Sequence, residues 1–358
     1  MSDGYIYRRL SKTLMKYNQL GDSDLKVSEI CLGTMTFGQQ NTLEEAHQQL
    51  DVAVSQGVNF IDTAEMYPVP PRAETYSKTE TYIGEWLKNQ QRDKLIIATK
   101  MVGRGRRKWV RDGNVGVDRK NITEAIEASL KRLQTDYIDL YQIHWPDRYV
   151  PTFGQTVFDY KQERDSTPIA EQLEVFAEMI KQGKIRSVGL SNETPWGVCE
   201  FSHAAKQLNL PKVVSIQNAY NLINRVFDSA LAEACYRENI GLLAYSPLGF
   251  GMLSGKYINK KPENSRLALF EGFGQRYNKP NVKEAVNEYI KIAKKYNLTP
   301  INLALAFVRN RWFVSSTIIG ATTLKQLKEN LASVDINLTP EILAEIDAVH
   351  TRYPNPAP

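Results

Sequence analysis

Eight times along this chain a short apolar, β-branched run is followed by a longer stretch with apolar residues at helical spacing, and nothing else in the sequence constrains the fold as tightly. The runs begin near Ile30 (ICLG), Val58 (VNFID), Leu95 (LIIATK), Ile138 (IDLYQIH), Ile185 (IRSVGLS), Val213 (VVSIQ), Ile240 (IGLLAYS) and Thr317 (TIIGA). Helix-boundary signals fall between them: Thr42 precedes LEEAHQQLDVAVSQG, which Gly57 closes, and Asn121 precedes ITEAIEASLKRLQ. Strict alternation implies parallel strands joined by helical crossovers, and eight units are the number that closes a barrel. The expected fold is therefore α/β, a single (β/α)8 TIM barrel. A length of 358 residues permits two domains or one barrel with long loops. No composition shift, linker or fixed repeat divides the chain, so one domain over 1–358 is expected, with its core at about 15–350.

The segment before Ile30, with Tyr17, Leu20, Asp22, Leu25 and Val27, reads as an N-terminal β-hairpin able to plug one end of the barrel. Leu324 to Leu331 is expected to form the last barrel helix and Pro340 to Val349 an extra one. Trp86, Phe176 and Trp312 fall on apolar helix faces and are expected in the core. Three connections are long: Pro68 to Thr79, Trp145 to Thr167 and Pro247 to Pro280. Each follows a strand, which puts all three on the C-terminal face, where barrel active sites are built.

Composition narrows the function classes. With 42% hydrophobic and 24% charged residues the chain is neither disordered nor fibrous. No stretch approaches the ~18 apolar residues of a spanning helix, and the opening MSDGYIYRRLSKTLMK lacks the apolar centre of a secretory signal. No membrane association is expected. Three cysteines, Cys31, Cys199 and Cys235, with no CxxC pair, suit a reducing compartment, and a cytoplasmic location is expected. A net charge of +5 is too weak a field to suggest nucleic acid. The basic run of Arg104, Arg106, Arg107, Lys108 and Arg111 reads as a solvated loop rather than a polyanion contact. No metal site is expected: His47, His144, His203 and His350 are scattered and no HExxH occurs.

The chemistry collects where ionisable residues end apolar strands. Asp62 ends VNFID, Lys100 ends LIIATK and His144 ends IDLYQIH, with Tyr67 five residues beyond Asp62. Taken singly, each has an ordinary reading as a snorkelling lysine, a helix cap or a structural histidine. At one barrel mouth they would form a set: a tyrosine whose pKa of ~10 a nearby ammonium lowers, a carboxylate that keeps the ammonium in place, and a histidine that orients a substrate. That set suits proton transfer to or from a carbonyl or hydroxyl oxygen.

These residues, in the string Asp62-Thr63-Ala64-Glu65-Met66-Tyr67 and at the ends of the next two strands, resemble the aldo-keto reductase superfamily of NADPH-dependent carbonyl reductases. The resemblance continues through Ser191-Asn192, Gln217, Tyr245-Ser246-Pro247-Leu248-Gly249 and Gly320-Ala321-Thr322 with Gln326 and Asn330. In length and loop pattern it looks closest to the bacterial Tas-like reductases, which lie near the β subunits of voltage-gated potassium channels. It implies reduction of a small-molecule aldehyde or ketone with Tyr67 as general acid, Lys100 lowering its pKa, Asp62 pairing with Lys100, and His144 bonding the substrate oxygen. It implies NADPH/NADP+ as cofactor. Ser191, Asn192 and Gln217 would hold the nicotinamide carboxamide, and Tyr245 would stack on the ring. Thr34 and Met35 would lie against the cofactor, and Ser246, Pro247, Leu248, Gly249 and Gly251 would begin a loop folded over the pyrophosphate. Lys256 and Arg266 would meet the 2′-phosphate with the Gly320, Thr322, Gln326 and Asn330 region.

No GxGxxG or Walker loop occurs, so a doubly wound dinucleotide domain has no support. The insertion PVPPRAETYSKT after Tyr67 departs from shorter family members and bears on substrate shape. Trp145, Met35, Phe37, Tyr149 and Phe153 are candidates to wall the pocket or to pack in the core. Two other functions fit the pattern: a cofactor-binding regulatory protein of the channel β-subunit type, and a barrel lyase or isomerase using Lys100 as a Schiff base. Oligomeric state is not legible.

Overall fold

Within each strand, alternation decides what the barrel holds inside. The computed structural model describes residues 14–358 other than 106 and 273. A hairpin of β1 (Tyr17–Gln19) and β2 (Lys26–Ser28) precedes eight strands: β3 (Ile30–Gly33), β4 (Phe60–Asp62), β5 (Ile96–Met101), β6 (Ile138–Ile143), β7 (Ile185–Ser191), β8 (Val213–Ala219), β9 (Gly241–Tyr245) and β10 (Val314–Ile319). The eight close in the order β10-β3-β4-β5-β6-β7-β8-β9, every pair parallel. The expected (β/α)8 barrel is the fold.

Side chains point alternately in and out along a strand. Cys31, Phe60, Ile96, Ala98, Leu140, Leu243 and Ile318 pack together inside the barrel, while Ile30, Leu32, Ile61, Ile97, Tyr141, Ile143, Leu242 and Ile319 join the larger core shared with the helices. Carried to the C-terminal strand ends, this period turns Asp62, Lys100, Gln142 and Tyr245 inward. The opposite end is closed by the hairpin: Leu20, Leu25 and Val27 are buried against the inward residues Phe60, Leu140, Val214 and Leu243.

The crossover helices start where capping chemistry starts them. In α1 (Leu43–Ser55) Thr42 and Glu45 form a reciprocal capping box. Next come α2 (Lys78–Leu87) and α3 (Arg119–Leu133). The cap of α3 is Asp118, not Asn121; Asn121 lies inside the first turn, where its backbone N–H is satisfied by Asp118. Then follow α4 (Ile169–Lys181), α5 (Pro195–Leu208), α6 (Ala230–Glu238), a short α7 (Arg266–Leu269), α8 (Val282–Lys295), α9 (Pro300–Arg309), α10 (Leu324–Leu331) and α11 (Pro340–Arg352). The last crossover thus carries two long helices, with α8 packed against α11 on the outside.

Trp86 and Phe176 are buried as expected, but Trp312 is not: it is 65% exposed, edge-on to Tyr236 and Phe313. It lies three residues beyond the end of α9, where the helical period no longer turns it inward. Among the described residues no helix is long and apolar enough to cross a membrane.

Candidate active site

Asp62, at the end of β4, is 2% exposed, and Lys100, on β5, has no exposure. Charges in that position survive only when paired and fully bonded. The Lys100 ammonium donates to Asp62 Oδ2 at 2.7 Å and to the Thr63 carbonyl at 2.7 Å. The second carboxylate oxygen accepts from Gln217 Nε2 at 2.9 Å and Gln142 Nε2 at 3.2 Å. Thr34 tightens the frame by donating its hydroxyl to the Asp62 carbonyl at 2.8 Å.

Tyr67 and His144 stand over this pair. The ammonium lies 5.1 Å from the Tyr67 ring centroid, and the Tyr67 and His144 rings meet edge to face at 5.7 Å. Burial, followed by the Lys100 and Arg107 charges, holds His144 well below the usual imidazole range, so the ring is neutral; its buried Nδ1 has no hydrogen-bond partner among the described residues. The Tyr67 phenol does not shift in the expected direction. Burial first, then the Asp62 carboxylate, push it well above its ordinary range, and the opposing cation is Arg266. Burial outweighs the cations nearby, and the phenol is held protonated. A neutral imidazole and a protonated phenol on one side of a pocket can bond and protonate an oxygen that gains electron density.

The pair opens onto a cavity of about 1090 Å³. Of the residues anticipated from sequence, Asp62, Tyr67, His144, Thr34, Met35, Ser191, Asn192, Gln217, Tyr245, Ser246, Pro247, Leu248, Gly251, Lys256, Arg266, Gly320, Thr322, Gln326 and Asn330 line it. Lys100 does not, since it sits behind Asp62. Gly249 does not either: its backbone is left-handed (φ 52°), and a Cβ there would press on Ile223 at 3.2 Å. Several lining residues hold one another. The Tyr245 hydroxyl donates to Asn192 Oδ1 at 2.7 Å, and Asn192 Nδ2 donates to the His144 carbonyl at 2.9 Å. Gln326 Oε1 accepts from the Thr322 N–H at 2.9 Å, and Asn330 Nδ2 donates to the Gly320 carbonyl at 3.2 Å. The loop that begins at Ser246 enters with left-handed backbone at Ser246 (φ 54°) and Phe250 (φ 58°), strain of a kind that gathers at functional sites.

Trp145, Met35, Tyr149 and Phe153 also line the cavity, whereas Phe37 has no exposure and belongs to the core. The 68–79 insertion reaches the cavity only through Val69 and Pro71. It is tied back by Glu65, whose side chain accepts from Tyr76 at 2.8 Å and whose carbonyl accepts from Ser77 at 2.8 Å. Sequence reasoning missed Gln142, Arg107, Arg276 and Glu329. Gln142 had a readable signal, a polar residue two before His144 and so on the same inward face.

A closed parallel barrel with a buried Lys–Asp pair, a tyrosine and a histidine at its C-terminal mouth defines a reductase of the aldo-keto type. The chain matches the Aldo/keto reductase family over residues 29–351. It is 50% identical over 348 residues to "Protein tas" of Escherichia coli (strain K12), covering 96% of this chain and all of that protein. It is 39% identical over 279 residues to an "Aldo-keto reductase" of Babesia bovis, 74% of this chain and 98% of the relative. With the "Uncharacterized oxidoreductase YrpG" of Bacillus subtilis (strain 168) it shares 30% identity over 350 residues, 96% of this chain and 97% of the relative. This chain belongs to the Aldo/keto reductase family and is an oxidoreductase.

Proposed function

We propose that the chain, as one barrel unit, reduces aldehydes or ketones to alcohols with NADPH, and that Tyr67 is the proton donor. The observation that carries this reading is the buried Lys100–Asp62 pair set beneath a protonated Tyr67 and a neutral His144 at the mouth of the cavity. The residues present fit the cofactor. The space at Gly320 is open, and among the described residues the buried Nε of Arg266 has no hydrogen-bond partner and Lys256, which lines the same cavity, has no carboxylate bonded to it. Anions are favoured at such a wall. Ser191, Asn192 and Gln217 would take the nicotinamide end, Tyr245 its ring, and Lys256 and Arg266 the 2′-phosphate.

Bound NADPH supplies the hydride to the carbonyl carbon. Tyr67 gives its proton to the carbonyl oxygen, which His144 has oriented through a hydrogen bond. Asp62 keeps the Lys100 ammonium in place, and that fixed positive charge favours the phenolate left behind. Lys100 is a poor Schiff-base candidate, because its ammonium is spent on two short bonds and does not face the cavity.

The test is loss of NADPH absorbance with 4-nitrobenzaldehyde, alongside cofactor affinity from tyrosine quenching. Wild-type protein turns over, and Tyr67→Phe loses about 10²- to 10⁴-fold in kcat/KM, the range for a positioned general acid. Cofactor affinity in that variant stays within about threefold, well under 1 kcal/mol. Wild-type turnover in Tyr67→Phe would remove Tyr67 from the mechanism, and NADPH binding without turnover of any aldehyde would favour a regulatory role.

A further inference from the structure

The basic run GRGRRKWVRDG does not behave as one solvated loop, because its charges go separate ways. Arg104 pairs with Asp147 at 3.2 Å. Arg111 pairs with the buried Glu65 and donates to the Val102 carbonyl at 3.0 Å and to Asn121 Oδ1 at 2.6 Å. Lys108 is exposed, and Arg106 lies outside the described residues. Arg107 is half-buried in the cavity wall, its guanidinium carbon 5.4 Å from the Trp145 ring centroid, and among the described residues no carboxylate bonds it.

That position is built rather than incidental. The Arg111 bonds clamp the far end of the run, and Trp145 Nε1 donates to the Arg104 carbonyl at 3.0 Å at the near end. Gly103 lies so close to the Trp145 backbone and indole that no side chain would fit there. The Trp145 ring is 4.9 Å from the His144 ring, which places the Arg107 charge one indole away from the atom that orients the substrate oxygen. The other cations on that side are occupied: Arg148 pairs with Glu193, and Arg164 donates to the backbone carbonyls of Asp147 and Arg148. Burial depresses the Arg107 pKa, the signature of a charge short of solvent and of a counter-charge.

We infer that Arg107 is a specificity-determining residue that receives a carboxylate carried by the carbonyl substrate, on the side of the pocket walled by Trp145. The inference rests on reading the site as a carbonyl reductase. A guanidinium fork matches a planar carboxylate with two parallel bonds, and an indole wall suits a flat body between that carboxylate and the reacting carbonyl.

The test compares 4-carboxybenzaldehyde with its neutral, near-isosteric partner 4-formylbenzamide, with NADPH, in wild type, Arg107→Met and Arg107→Lys. In wild type kcat/KM favours the carboxylate by at least about tenfold, the ratio falls below about threefold in Arg107→Met, and it is intermediate in Arg107→Lys. A wild-type ratio near one, or an equal ratio in wild type and Arg107→Met, overturns the assignment. Calorimetric titration of benzoate and benzamide, with circular dichroism confirming the fold of each variant, gives a readout that needs no turnover. Benzoate binding weakens about tenfold or more in Arg107→Met if Arg107 holds the anion, and the assignment fails if it does not weaken. Absence of turnover with every aldehyde would sink the reductase reading while leaving the benzoate comparison to decide Arg107.

Discussion

Lys100 and Asp62 are each other's counter-charge inside the barrel, where neither is more than 2% exposed. Removing one partner strands the other, which typically costs about 3–5 kcal/mol, whereas removing both together is far milder. Urea denaturation is therefore expected to show Lys100→Met strongly destabilised and Lys100→Met with Asp62→Asn recovering much of the loss; equal losses would mean the pair is not stabilised as a unit. His144 gives a pH signature. Its folded pKa lies well below the usual value and the unfolded chain titrates near ~6.5, so between the two the unfolded state binds the extra proton. The stability this group contributes is complete above about pH 6.5 and is lost as pH falls toward its folded pKa. Replacing it in His144→Gln should flatten that part of the slope between about pH 7.5 and 5.5; an unchanged slope assigns it to other groups. The four residues Asp62, Tyr67, Lys100 and His144 were legible in the sequence because charged or phenolic groups at the ends of apolar strands are conspicuous. The direction of the Tyr67 shift was not, because desolvation depends on how tightly the neighbours pack. Arg107 was hidden for a related reason: the cations of one run look alike until the fold pairs Arg104 with Asp147 and Arg111 with Glu65 and leaves Arg107 in the cavity wall.

At the scale of elements, strand positions were readable because a parallel strand buried on both faces is a continuous apolar run, and seven of the eight expected starts fall within two residues of the observed ones. The eighth, β10, begins three residues early at Val314, where Ser315 and Ser316 interrupt the apolar signal. The plugging hairpin was visible from its alternation. Trp312 was misplaced because helical period was extended past the end of α9. The 247–280 loop is the element whose role depends most on a ligand, because three of its cations, Lys256, Arg266 and Arg276, line the cavity, the first two being those expected at a 2′-phosphate. If they read a 2′-phosphate, Lys256→Ala with Arg266→Ala weakens NADPH by about tenfold or more and NADH by less than about threefold, since a charge-assisted pair is lost only where the phosphate exists. Fluorescence titration of both nucleotides decides it, and an equal loss for the two would show that the pair recognises something they share.

Across the whole molecule the two ends of the barrel divide the work. The hairpin end is closed by a plug of apolar side chains, and the loop end is open and lined by the cations Arg104, Arg107, Arg148, Arg164, Lys256, Arg266 and Arg276 against the carboxylates of Asp62 and Glu329. That asymmetry is concealed by a net charge of only +5. Stability and ligand binding should therefore respond independently to changes at opposite ends. Leu25, 1% exposed in the plug, is expected to cost about 2–5 kcal/mol as Leu25→Ala, through lost transfer energy and the cavity left behind. NADPH at one hundred times its Kd should add about 2.7 kcal/mol by mass action, whatever the starting stability. Sites with no shared partners add, so the increment from NADPH should be the same in Leu25→Ala as in wild type to within about 0.5 kcal/mol. Denaturant unfolding of both proteins with and without NADPH measures all four corners of this cycle. A smaller increment in Leu25→Ala would mean that the hairpin shapes the mouth through the strands between them, and that the barrel wall transmits strain from one end to the other.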